Sequence, residues 1–384
     1  MPASMAVQYS PTVLTPGRSV IVVPLFFSLQ AARGIAALII VGGHILCMGF
    51  HPAAGEPRFT VLSHLGEVGY DLFFVLSGFS LIASERYQFG MKGQMWTFLK
   101  RRFFRIYPLY WVYFLAVFVV LRMEPDMSLR SASDALDFVR AFLLLPQPTS
   151  ALLTPAWPLV QLMWCYLILA LLLRVSCRRL VQALLGWGAI TLYALTRLPP
   201  PDNAYLRVMV HASSLEFIWG ALAGVAYLKL LKFLPRTTLA EPLILALGAG
   251  GIGYAWSSGV VDHASVASFM PWSRAMGVGA GVAFLLLFFA LQESKGNVKV
   301  PRALVEIGGM SYSLLLSCIF TLSLCNGAWQ RSGSGEGPYW QAGLWGGIFF
   351  VLVMLMAVFC FFLVEKRLAS YCARPRTTPF VHRQ

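Results

Sequence analysis

Two polar residues interrupt the apolar stretch SLQAARGIAALIIVGGHILCMGF at 28–50: Arg33 and His44. Eleven residues are about three helical turns, so a helix would carry both side chains on one face, roughly 16 Å apart along its axis. A charge in hydrocarbon costs roughly 3 kcal/mol or more, so such groups face a protein interior or a wet cavity. An imidazole titrates near neutral pH and can take a proton from a hydroxyl and pass it on. A guanidinium is no base at pH 7, but its fork of donors grips phosphate or carboxylate. The bland alternatives are a packing histidine at 44 and, at 33, an arginine that snorkels to the membrane surface.

Two more stretches carry charge into apolar surroundings. GEVGYDLFFVLSGFSL at 66–81 puts Glu67 and Asp71 one turn apart on one helix face. Buried carboxylates need a cation, and Arg33 or His44 is expected to serve. Asp71 against the imidazole would fix its tautomer and raise its basicity; otherwise Asp71 belongs to a structural ion pair. Ser77-Gly78 reads as a point of close helix approach. KRRFFRIYPLYW at 100–111 sets Arg101, Arg102 and Arg105 at the mouth of a span, with Arg102 and Arg105 sharing a face. Three guanidiniums there suit the phosphates of a soluble donor, or else anchor the span's cytoplasmic end.

The elements that must position these groups follow from composition. Of 384 residues, 58% are hydrophobic and 12% charged, which excludes an ordinary soluble domain. The reading is an all-α polytopic membrane protein, one domain over 1–384 with a short basic cytoplasmic tail from about 365. Spans of about 20 apolar residues are expected near 26–48, 66–84, 104–121, 157–174, 180–197, 208–228, 242–260, 273–291, 303–325 and 342–364. An eleventh apolar piece, FVRAFLLLP at 138–146, is too short to cross and reads as interfacial or re-entrant.

Charge tests that count of ten. With both termini inside, the outer segments hold Arg58, Arg122, Arg130, Arg140, Arg197, Arg207, Arg274 and Arg331, which leaves 22 of the 30 Lys and Arg inside. This obeys the positive-inside rule, and an eleventh crossing would break it. The net charge of +14 therefore sets topology and touches anionic headgroups; no nucleic-acid partner is implied. The seven cysteines, among them Cys47, Cys165, Cys318, Cys325 and Cys360, show neither metal spacing nor a disulfide framework. No cleavable leader is expected, because the first apolar run continues into the first span. Loops at 198–207 and 326–341 carry turn residues with aromatics, which could meet a carbohydrate.

Taken together, LQAARGIAALIIVGGH, GYDLFFVLSGF and RRFFRIYPLYW resemble the acyltransferase-3 family, integral membrane O-acyltransferases of bacterial surface glycans. TPAWPL at 154–159, SYSLLL at 311–316 and EKRL at 365–368 are similar to weaker landmarks of that family. The resemblance implies transfer of an acyl group, usually acetyl, from cytosolic acyl-CoA to a glycan hydroxyl in the cytoplasmic (inner) membrane. His44 would be the catalytic base or acyl carrier, with Asp71 beside it. Arg33, Arg102 and Arg105 would hold the donor's phosphates, with Arg101, Glu67 and Glu216 as accessory groups. Acetyl-CoA enters as co-substrate, with no resident cofactor and no metal. Two landmarks differ: a carboxylate expected a few residues past Trp157 is replaced by Leu162 and Met163, with Gln161 the nearest polar group, and a histidine is replaced by Cys318. Glu216, in SSLEFIWGALAG, could compensate for the first. Two other readings compete. One is a proton-coupled carrier of a glycan or lipid-linked intermediate, built from the same intramembrane charges but lacking any visible inverted repeat. The other is an inactive relative that scaffolds glycan assembly.

Overall fold

The computed structural model describes residues 27–49, 60–85, 89–91, 93–123, 135–147, 156–176, 179–233, 240–258, 271–331 and 339–367. The expectations for the N-terminal 25 residues, for Arg58 and Arg130, for the middle of the 326–341 loop and for the tail from 368 lie outside the described residues. All regular structure among the described residues is helical: α1 (Phe27–Gly49), α2 (Thr60–Glu85), α3 (Gln94–Met123), α4 (Ala135–Phe142), α5 (Trp157–Leu172), α6 (Leu180–Arg197), α7 (Ala204–Met209), α8 (Ser213–Leu230), α9 (Glu241–Ser257), α10 (Trp272–Arg274), α11 (Ala280–Ser294), α12 (Arg302–Gly309), α13 (Ser311–Arg331) and α14 (Tyr339–Cys360).

A helix lies at each of the ten expected spans. Among the described residues, six stretches are long and apolar enough to cross a membrane: Phe27–Leu46, Gly66–Glu85, Gln94–Val120, Ala204–Phe233, Trp272–Ser294 and Gly343–Glu365. The bent pair α12–α13, turned by 63°, makes a seventh if it counts as one span. Helices α5, α6 and α9 are short or only moderately apolar. The piece at 138–146 is α4 followed by a turn. It lies against α3, whose Tyr107, Tyr110 and Trp111 donate to the carbonyls of Leu143, Ala141 and Phe142.

Three details depart from the hydropathy reading. α3 starts at Gln94 rather than near 104, so its arginines lie within the helix, about 10 Å or more along its axis, rather than at its mouth. A helix needs backbone hydrogen bonds, not apolar side chains, and KRR continues one readily. The expected span at 208–228 is broken between α7 and α8. The span at 273–291 opens with a short helix and a wide π turn over Ala275–Gly279 before α11.

α2 is central, packed between α1 and α8. Glycine makes both contacts close. A Cβ on Gly78 would run into the Phe217 carbonyl oxygen, and one on Gly220 into that of Val75. On the other side, a Cβ on Gly66 would lie 3.0 Å from Gly43 Cα. With no side chain in the way, backbones come together and dispersion contacts multiply, the usual basis of helix association in lipid. The N-terminus of α1 is capped from α11: Glu293 accepts from the backbone N–H groups of Phe27 (2.7 Å) and Ser28 (3.0 Å).

Candidate functional site

The close α1–α2 approach sets His44 beside Tyr70, their rings edge to face at 6.2 Å. His44 Nδ1 lies 2.8 Å from the Ile40 carbonyl oxygen one turn back. A carbonyl only accepts, so Nδ1 carries the proton, and the neutral ring presents its lone pair at Nε2. The helix itself therefore fixes the tautomer expected of a base.

Asp71 does not perform that task. Its partner is Arg274, whose Nε and Nη2 donate to Asp71 Oδ2 at 3.0 and 2.9 Å, with both side chains fully buried. Arg274 Nη1 also reaches Glu67 Oε2 at 3.2 Å. The expectation that Arg33 or His44 would balance these carboxylates is corrected: the cation comes from α10, about 200 positions along the chain. Arg274, expected among the outer loop charges, is drawn inward at the start of the π turn. Such turns recur at functional sites because they re-aim side chains. Glu67 and Asp71 do share a face, as their spacing requires, and both grip the same guanidinium.

Glu216 joins this cluster from α8. It is fully buried and stands near Asp71 and Arg274. Gly279 of the π turn makes room for it, since a Cβ there would lie 2.9 Å from Glu216 Cγ. Among the described residues, Asp71 Oδ1 and both carboxyl oxygens of Glu216 are paired with no N–H or hydroxyl donor, and the two carboxyls stand beside each other. Three carboxyls thus surround the guanidinium of Arg274. Gln161, the polar group nearest the replaced carboxylate, is buried and donates to Ser214 Oγ at 3.0 Å, two residues before Glu216.

The arginines lie toward the other end. Glu85, 14 residues or about 21 Å along α2 from Asp71, accepts from Arg101 (2.7 Å) and Arg102 (3.1 Å). The Arg102 guanidinium lies over the rings of Phe98 and Tyr166, 5.1 and 5.8 Å from their centroids, and its Nε is buried with no partner among the described residues. Arg105 is exposed. Arg33 is half-buried on α1, with Nη1 3.4 Å from Gln30 Oε1. Among the described residues the expected site groups thus fall apart along α2, with the Asp71–Arg274 cluster toward one end and the Glu85 pair toward the other. Two weaker landmarks also meet, since Ser313 Oγ donates to Glu365 Oε2 at 2.5 Å. Cys318 is buried against α1, among Ala37, Val41 and Ile45. Among the described residues, no group of three or more His, Cys, Asp or Glu could hold a metal ion.

Sequence reasoning missed Arg274 and His211. Arg274 gave one usable signal: a lone arginine followed by AMGVGAGVAFLLL, directly against a span. His211 lies in the α7–α8 break and packs on Trp157, ring centroids 5.6 Å apart. Trp157 in turn meets Tyr70 at 5.6 Å and Phe74 at 6.1 Å.

A family model described as an acyltransferase domain, the acyltransferase-3 family, matches residues 26–365. Acyltransferase MdmB of Streptomyces mycarofaciens is 37% identical over 141 residues, 34% of this chain and 35% of that protein. Protein 2 in the picA locus of Rhizobium radiobacter is 35% identical over 156 residues, 36% of this chain and 74% of that protein. The chain therefore spans about a third of the length of MdmB. No solved structure matches.

Proposed function

The chain belongs to the acyltransferase-3 family, and on that footing we propose that it moves an acyl group, acetyl in the first instance, from acyl-CoA to a hydroxyl of a surface or exported glycan. The observation that carries this reading is the His44 ring: Nδ1 is committed to the Ile40 carbonyl, so Nε2 is the atom that accepts a proton. Nε2 takes the hydroxyl proton while the oxygen attacks the thioester carbonyl. The carbon–sulfur bond then breaks, and the imidazolium returns the proton to the leaving sulfur, so the proton balance closes within the site. Arg33, Arg102 and Arg105 bind the donor's phosphates; Arg101, through its pairing with Glu85, steadies that end. Asp71, Glu67 and Glu216 act through Arg274, holding α2, α8 and α10 in register around the site.

The reading extends to the whole chain as one membrane domain in the cytoplasmic membrane. All ten helical spans cross, counting α5, α6, α9 and the α12–α13 pair, and both termini are cytoplasmic. Mass spectrometry of surface glycans tests it, using matched cells that lack the protein, carry it, or carry His44→Ala. The expected result is an acyl mass increment only with the intact protein. An increment in the His44→Ala cells would overturn the role of His44, and none in any cells would overturn the reaction.

A further inference from the structure

The glycine contacts between α2 and α8 have a register. A Cβ on Gly220 would run into the Val75 carbonyl, and one on Gly224 would lie 3.0 Å from the Phe79 carbonyl oxygen. Both helices advance four residues between these two contacts, so they run side by side in the same direction. One turn earlier, the same step pairs Asp71 with Glu216. Because glycine lets the two backbones meet, the carboxyls one turn back are pressed together as well.

Both carboxyls are fully buried. Arg274 donates twice to Asp71 Oδ2 and once to Glu67, so the guanidinium is already gripped from α2. Asp71 Oδ1 and both oxygens of Glu216 receive no N–H or hydroxyl donor among the described residues, while Glu216 stands within hydrogen-bond reach of Asp71. Cys165 of α5 also faces Glu216, and it is an acid rather than a cation. Gly279 of the π turn closes the remaining side without a side chain. Two ionised carboxylates in contact and away from water do not persist together, because one cation leaves the second charge unmatched. A proton on one of them removes the conflict and supplies the missing donor.

We propose that Asp71 and Glu216 form a binding site for one proton, with Glu216 as the neutral acid whose O–H donates to Asp71 Oδ1. Asp71 remains the anion: Arg274 holds its Oδ2 and Glu216 holds its Oδ1. A hydrogen bond from an acid to a carboxylate is charge-assisted, and it ties α8 directly to α2 at the π turn. Glu216 is thus a positioning residue. It reaches Arg274 through Asp71, and its proton is committed to the joint rather than offered to a substrate. The joint sits one residue from Tyr70, the ring of α2 that meets His44, so it fixes α2 where the histidine packs.

The joint does not depend on the acyl-transfer reading, and neither does its test. Infrared spectra of the purified protein, in an ester-free detergent at neutral pH, are compared between the wild type and Glu216→Gln. The expected difference is one carbonyl stretch of a protonated carboxyl, present in the wild type and lost in the variant. No such loss would show Glu216 to be an anion and overturn the site. Unfolding in the same detergent then compares the wild type with Glu216→Gln and Glu216→Leu. The glutamine amide is a neutral donor of the same length, so Glu216→Gln is expected to unfold with the wild type. Leucine leaves Asp71 Oδ1 bare, and its unfolding equilibrium constant is expected to rise about tenfold to a hundredfold, the worth of one hydrogen bond to a charged group. Glu216→Gln as unstable as Glu216→Leu, or failing to fold, would mean that the charge and not the donor matters, and would overturn the proposal. Glu216→Leu as stable as the wild type would show that no joint exists.

Discussion

Replacing Arg274 with methionine probes the buried ion cluster directly. The side chain is of similar length and apolar, so packing is largely kept while at least three charge-assisted hydrogen bonds disappear, two to Asp71 and one to Glu67. Each bond to a charged group is worth roughly 1.5–3 kcal/mol, but the stranded carboxyls recover part of that by taking up protons or water. Removing one partner of a buried pair costs about 3–5 kcal/mol in practice, and that range is the expected loss. It is a large share of a typical fold stability of about 5–15 kcal/mol. Asp71 is fully buried, whereas the Glu67 side chain is 23% exposed, so the penalty falls mainly on Asp71. Adding Asp71→Leu to Arg274→Met is therefore expected to recover at least half of the loss. The assay is unfolding of the purified protein in detergent, compared among the wild type, both single variants and the double variant. Arg274→Met unfolding with the wild type would refute the reasoning, as would a double variant as unstable as the two single losses combined.

Asp71→Asn is expected to lower stability but leave the midpoint of the pH–rate profile in place, because the Ile40 carbonyl, not Asp71, holds His44. A moved midpoint would restore Asp71 as the orienting group. Arg102→Ala with Arg105→Ala is expected to raise the KM for acyl-CoA about tenfold, one to two phosphate contacts, with little change in acceptor dependence. An unchanged donor KM would leave these arginines as anchors. Gly78→Leu is expected to cost about 3 kcal/mol, since its Cβ would run into the Phe217 carbonyl and part α2 from α8. Wild-type unfolding of that variant would show that the contact carries no such weight.

Much of this architecture could be read from periodicity. The apolar runs mark where the helices lie, and the 33–44 and 67–71 spacings put each pair on one face. What stayed hidden is long-range pairing. Arg274 and Asp71 are both visible as charges beside apolar runs, but only the tertiary fold brings them together, and loop proximity made Arg274 look like a topology signal. His211 escaped because VMVHASS contains no glycine or proline to mark the helix break. The break is stabilised by the imidazole accepting from Ser213, a local bond that no hydropathy pattern records. The early start of α3 was obscured for the opposite reason: KRRFFR looks like the edge of a membrane span, yet those residues favour helix as strongly as the apolar ones that follow.

The central claim is that His44 Nε2 takes the acceptor's proton as the thioester breaks. Its most direct test is to measure free thiol released from acetyl-CoA together with acyl groups gained by the glycan. Membranes carrying the wild type are compared with membranes carrying inserted His44→Ala. The account predicts one thiol per acyl group with the wild type, and neither above background with His44→Ala. Thiol release and acyl gain at wild-type rates in His44→Ala would contradict it.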